Sequence, residues 1–208
     1  MAFVVDDKFL PATLTAHPMT DDEFTEFCAE YPDLFFEMTA EGDLIVMPPA
    51  YSLNGARNAV IGAELGIWSE KDGLGVGCAS SAGFVLPNGA RRSADASWTL
   101  KSRIAKLDPA SREKFWRLSP DFVIELRSDT DRAPTLRAKM WEWIDNGTQL
   151  AWLIDPKRRA VEVYRAGREP VIHEDIDRIA ADGPVAGFEL DLRRVWDPIG
   201  GASNQPGN

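Results

Sequence analysis

Apolar residues recur along this chain at two spacings, one suited to helices and one to strands. From 52 to about 71, Val60, Ile61, Leu65 and Trp68 fall at helical intervals, and Gly73 marks the stop. A second helix is predicted over 133–146, where Leu136, Met140, Trp143 and Ile144 form a stripe with a period near 3.6. Ala133-Pro134 suits its start and Asn146-Gly147 its C-terminal cap. Nearer the N-terminus, Thr20 followed three residues later by Glu23 is a capping-box pattern, and it opens a short helix over 20–30.

Strand patterns fill the intervals. LFFEM and DLIVMP flank Glu41-Gly42 as a hairpin, with Pro48-Pro49 stopping its second strand. GVGCAS, AGFVLP and RRSADASWTL follow, the last read as one strand entered through a tight turn at Asn88-Gly89. KSRIAKLDPASREKFWRL suits exposed helix or loop. PDFVIELRS is the most sheet-like run, and LAWLID and AVEVYRA are two further strands around the basic turn KRR. This order predicts an α/β (α+β) fold, a mixed β-sheet flanked by helices with an N-terminal hairpin. The strand–helix–strand unit from Pro120 to Asp155 predicts a parallel strand pair. No repeat or linker divides the chain, so one domain over 1–198 is expected. The tail GGASNQPGN lacks core-forming residues, so disorder is expected over 199–208.

Composition narrows the setting. The 208 residues are 44% apolar, yet no apolar run approaches the roughly 20 residues of a membrane helix. MAFVVDDKFLPATLTAHP lacks the basic start and apolar stretch of a signal peptide. Cys28 and Cys78 stand among apolar or small residues, the context of buried free thiols rather than a disulfide or zinc site. A reducing, cytoplasmic location is expected. The net charge of −10 argues against a polyanionic partner until its distribution is read. Residues 1–50 hold eleven acids and one Lys, whereas residues 91–139 hold twelve bases and seven acids. A basic centre beside an acidic arm is compatible with DNA binding.

Four charged residues stand out against these elements. Alternation along PDFVIELRS puts Phe122, Ile124 and Leu126 on one face, and Asp121, Val123, Glu125 and Arg127 on the other. Glu125 and Arg127 then read either as an ion pair on a solvated face or as groups tied to a metal, since burying them alone is costly. Asp95 stands between Ser93 and Ser97, and Asp is among the poorest strand residues. It reads either as a ligand of a hard divalent cation or as an acid bonded to nearby amides. Lys139 lies at the edge of its helix's apolar stripe, from which its ammonium reaches back over the sheet or out to solvent. With only His17 and His173 present, a histidine-based metal site is disfavoured.

The stretches MTDDEFTEF, FFEMTAEGDLIVMPP, GFVLPNGARRSADASW, SPDFVIELRSDTDRAPTLRAKMWEWIDNG and LAWLIDPKRRAVEVYR, in that order, resemble the Uma family of predicted restriction endonucleases. That family is a branch of the PD-(D/E)xK nuclease superfamily, and the resemblance covers most of Met19 to Trp196. It implies a restriction endonuclease-like fold with Asp95 as the first metal-binding acid and Glu125 as the acid of the (D/E)xK element. Three departures accompany it: Ala94 replaces the Pro before that Asp, Arg127 occupies the Lys position, and Asn54-Gly55 stands where relatives often have His-Gly. The resemblance implies that Lys139, on the following helix, serves as the catalytic Lys, and that Glu37 is an outer-shell or third carboxylate.

The expected activity is Mg²⁺-dependent hydrolysis of DNA phosphodiesters, with Mn²⁺ as a possible substitute. Asp95 and Glu125 would hold the metal, with Glu37 beside them, and Lys139 and Arg127 would supply positive charge at the reacting phosphate. Arg91, Arg92, Arg132 and Arg137 are candidate contacts to the nucleic-acid backbone. The alternative is a catalytically weakened nuclease fold acting as a nucleic-acid- or protein-binding module. A homodimer is a further expectation, its interface drawing on Trp116, Trp141 and Trp143.

Overall fold

The computed structural model of the protein describes residues 12–17, 19–47 and 51–200. The N-terminal part contains β1 (Ala12–Leu14), α1 (Asp21–Glu30) and the hairpin β2 (Phe35–Met38) and β3 (Leu44–Met47). At α1 both halves of the capping box form, Thr20 Oγ1 accepting from the Glu23 amide and the Glu23 carboxylate accepting from the Thr20 amide. The long helix α2 (Ser52–Asp72) ends at Gly73, whose φ of 71° is the left-handed conformation that closes a helix without a Cβ clash. Pro48 and Pro49 lie outside the described residues, as does the tail from 201 on.

After α2 come β4 (Gly75–Ala79), β5 (Gly83–Val85), β6 (Arg91–Ser93), β7 (Ala96–Leu100) and the short α3 (Lys101–Ile104). Then follow β8 (Phe122–Leu126), α4 (Ala133–Asp145), β9 (Leu150–Asp155) and β10 (Ala160–Tyr164). The remaining elements, β11 (Val171–Glu174), β12 (Arg178–Ala180), β13 (Glu189–Asp191) and α5 (Arg193–Trp196), had no assigned counterpart in the hydrophobic pattern.

These strands form two main sheets rather than one. A six-stranded sheet runs β11-β10-β9-β8-β7-β4, and a five-stranded sheet runs β1-β3-β2-β6-β5. Strands β8 and β9 are parallel, as the strand–helix–strand unit requires, while the other pairs are antiparallel. The expectation of one strand through RRSADASWTL is corrected: β6 and β7 belong to different sheets, and the chain bends between them at Ala94 and Asp95. An acid there interrupts no ladder, which removes the propensity penalty of a mid-strand Asp.

Both faces of the central strand β8 are covered. Phe122, Ile124 and Leu126 pack with Ile61 and Leu65 of α2 and with Phe188, Leu190 and Val195 from the C-terminal segment. Val123, on the other face, packs with Met140, Trp143 and Ile144 of α4 and with the β5–β6 hairpin. The solvated-face alternative for Glu125 is thereby excluded, since Glu125 is 4% exposed. Trp143 is fully buried, and Trp116 and Trp141 are part-buried, so the expected Trp-rich outer surface is not present. Cys28 and Cys78 are free and half-buried. No helix among the described residues is long and apolar enough to cross a membrane.

Candidate active site

The last ladder pair between β7 and β8 is Ala96 with Ile124. One further step in that antiparallel register would set Asp95 opposite Glu125. The chain bends at this point, and the two acids meet where the ladder ends. Asp95 Oδ2 accepts from the Leu126 amide at 2.7 Å, which ties the bend to the end of β8. Both acids line one cleft of about 220 Å³, together with Asn54 and Asn58 of α2, Ser93, Asp131 and Lys139. Phe35 and Tyr51 stand exposed at the same cleft.

Lys139 enters from α4. Its ammonium lies 2.8 Å from Glu37 Oε1, 2.9 Å from Glu125 Oε1 and 2.9 Å from the Ser93 carbonyl oxygen. An ammonium has three donors, so all three are occupied. Glu125 Oε1 also accepts from Trp143 Nε1 at 2.9 Å, whereas Oε2 takes no hydrogen bond from the described residues. Glu37, on β2, is held by the Ser93 amide at 3.0 Å and by Arg92 Nη1 at 3.0 Å. Arg92 in turn reaches Glu142 of α4 at 2.5 Å. A buried chain of alternating charge thus runs Glu125, Lys139, Glu37, Arg92, Glu142, joining both sheets and α4.

Burial sets the protonation balance here. It pushes the Glu125 carboxyl up to about 7, opposed by Lys139 and assisted by the negative charges of Asp95 and Glu37. Asp95 is likewise raised by burial, which the Leu126 amide, Lys139 and Asn58 offset only in part. Burial also acts on Glu37, but Lys139 and Arg92 outweigh it and hold that carboxyl below the ordinary range. For Lys139, burial favours the neutral amine, yet Glu125 and Glu37 reverse this and keep it protonated.

The residues singled out from the sequence therefore divide. Asp95, Glu125 and Lys139 converge on the cleft. Glu37 pairs with the same Lys139 but does not line the cleft, and among the described residues no group of three acids, cysteines or histidines is placed to share one ion. Arg127 turns away: its guanidinium pairs with Asp155 at 2.6 Å, beyond the end of β8, and it does not line the cleft. Arg91 is buried, pairing with Asp21 at 2.7 Å and lying over the Phe24 ring. Arg92 is committed to Glu37 and Glu142, and Arg137 forks onto Glu162. Only Arg132 among the four candidate backbone contacts is exposed with no internal ion pair from the described residues. The local sequence is rich in Arg, but burial and internal acids consume most of that charge.

Two residues of the site escaped the sequence reading. Asn58 lies one helical turn after Asn54 and donates through Nδ2 to Asp95 Oδ1 at 2.8 Å. Its signal was a pair of amides at i and i+4, which point to one side of a helix. Trp143 was legible as core, but not as the hydrogen-bond donor that holds Glu125.

The residue set is chemically suited to a hard divalent cation. Asp95 and Glu125 offer carboxylate oxygens, and among the described residues neither Glu125 Oε2 nor the buried Oδ1 of Asn58 has a hydrogen-bond partner.

A structure described as "a putative nuclease belonging to DUF820" from Anabaena variabilis ATCC 29413 superimposes with a TM-score of 0.69 at 19% identity. The match covers 86% of this chain and 98% of that one. At that identity the likeness concerns the fold. No curated protein shows a significant match to the sequence. The sequence pattern of the Uma2 family, described as "Putative restriction endonuclease", spans residues 21–193 and so includes every cleft residue named above. The chain belongs to the Uma2 family of restriction endonuclease-like proteins.

Proposed function

We propose that this protein is a Mg²⁺-dependent nuclease that hydrolyses phosphodiester bonds in DNA. The observation that carries this reading is the meeting of Asp95 and Glu125 at the end of the β7–β8 ladder, in one cleft with the Lys139 ammonium. Membership of a family described as "Putative restriction endonuclease" supports the reaction class.

Asp95 and Glu125 would hold the cation. The chemistry supplied by such a cation would be a lowered pKa for a bound water and neutralised charge on the scissile phosphate. The chain's own contribution is to preorganise that site. The Leu126 amide and Asn58 fix both oxygens of Asp95, while Trp143 and Lys139 fix Oε1 of Glu125 and leave Oε2 without a hydrogen bond from the described residues. Lys139 keeps positive charge beside Glu125, which favours its ionised, cation-holding form. Arg132, at the start of α4, is available to a phosphate of the bound strand.

A weakened site acting as a binding module is the second reading. It is favoured by the turning of Arg127 onto Asp155 and by the full occupation of the Lys139 donors, which leaves no free cation facing the cleft from those two positions. Incubation of the protein with plasmid and single-stranded DNA in Mg²⁺ or Mn²⁺ separates the two. Cleavage that disappears in Asp95→Ala and in Glu125→Ala supports the nuclease. Cleavage that survives in both rejects the assignment, and binding without cleavage by the wild type favours the module.

A further inference from the structure

Five buried side-chain polar atoms lack a hydrogen-bond partner among the described residues: Asn58 Oδ1, Arg91 Nε, Trp98 Nε1, Thr99 Oγ1 and Arg127 Nε. Only Asn58 belongs to the cleft that holds Asp95 and Glu125. It also differs from the rest in kind, being solely an acceptor, whereas the other four are N–H groups or a hydroxyl. The amide cannot resolve this by rotating end over end. A carboxylate accepts only, so Asp95 requires the Asn58 nitrogen on its side, and the oxygen is left facing elsewhere. Among the described residues a bare acceptor is thus buried in the cleft that holds two carboxylates, an arrangement that is unfavourable unless a donor or a cation occupies the space.

We propose that Asn58 is the third oxygen donor of the cation site, its Nδ2 orienting Asp95 and its Oδ1 facing the hydrated cation. This rests on the metal-dependent reading above and deepens it. Hard divalent cations take amide oxygens together with carboxylates and retain waters for their remaining positions. The set is drawn from three elements: Asn58 from α2, Asp95 from the bend between β6 and β7, and Glu125 from β8. Glu37 is not needed for it, being engaged by Lys139, Arg92 and the Ser93 amide.

Calorimetric titration with MnCl₂ alone, repeated with MgCl₂, tests the assignment without reference to DNA cleavage. Asn58→Ala is expected to weaken cation binding about 10–100-fold, the range seen when residues supporting a metal site are removed. Asn58→Asp restores an oxygen and adds charge, so its affinity should match or exceed that of the wild type. Its cation-free melting temperature should nevertheless fall, because two carboxylates then face each other across 2.8 Å. Should the alanine variant not fold, Asn58→Leu, which keeps the volume and carries no oxygen, replaces it with the same expectation. Wild-type-like binding by Asn58→Ala overturns the proposal. So does an Asn58→Asp variant that binds as poorly as Asn58→Ala, because the amide then acts only through its hydrogen bond to Asp95. A wild type that binds neither cation rejects the parent reading as well. Binding lost in Glu125→Gln but kept in Asn58→Ala rejects the role of Asn58 alone.

Discussion

The ammonium of Lys139 lies 2.9 Å from Oε1 of Glu125, with the two side chains 13% and 5% exposed. Neither charge would be stable there without the other, and Glu37 shares the same ammonium. Lys139→Met would leave two buried carboxylates without their common counter-charge. Loss of one partner from a buried pair costs about 3–5 kcal/mol. Urea unfolding of Lys139→Met should therefore show a large drop in stability. The double variant Lys139→Met/Glu125→Gln should recover part of it. A single variant as stable as the wild type would remove the charge chain from the account of the fold.

Trp143 donates to the same Oε1 of Glu125 from within the core. Trp143→Phe keeps most of the ring and deletes the donor. Oε1 keeps the Lys139 ammonium but loses a hydrogen bond to a charged group, which should lower stability by about 1.5–3 kcal/mol. If Glu125 holds the cation, the same variant should also weaken Mn²⁺ binding, since Oε1 loses one of its restraints. A melting curve and a titration on one preparation check both effects.

Part of the acid sensitivity should arise away from the cleft, at Glu162. Burial acts to raise its carboxyl, but hydrogen bonds from Arg137 and Tyr164 and the charges of Arg137 and Arg158 outweigh that and lower it below the ordinary 4.5. A carboxyl depressed in the folded state stabilises above its unfolded value, and the contribution fades as pH falls through the folded value. Glu162→Gln should therefore lower stability at pH 7 and shrink the further loss between pH 5 and pH 3. Chemical unfolding across that range measures it. Equal pH slopes in wild type and variant would contradict the prediction.

Arg132 and the internally paired arginines of the same span should behave differently from one another. Arg132 is exposed, so Arg132→Ala should leave the melting temperature unchanged while weakening nucleic-acid binding. The slope of log affinity against log salt should fall by about one phosphate contact. Arg92→Ala should do the reverse, destabilising the protein through Glu37 and Glu142. Fluorescence anisotropy at several salt concentrations, set beside melting curves, separates the two outcomes.

Local sequence determined much of this protein. The capping box at Thr20, the helix ends at Gly73 and Asn146, the Glu41-Gly42 hairpin and the parallel β8–β9 pair all follow from interactions within a few residues or from chain connectivity. Hydrophobic alternation likewise marked Glu125 as out of place on an apolar strand, and the family pattern drew Asp95 and Lys139 to it. Partnership was another matter. Whether RRSADASWTL is one strand or two depends on which sheets receive its halves, and that is set by contacts with β2 and β8, far away in sequence. An arginine looks equally available for phosphate whether it is solvated or buried against an acid, and only packing shows that Arg91 and Arg92 are spent internally while Arg132 is not. The roles of Asn58 and Trp143 depend in the same way on where α2 and α4 meet the sheet. Short-range propensity can place a side chain on a face, but its hydrogen-bond partner and degree of desolvation emerge only when distant segments close around it.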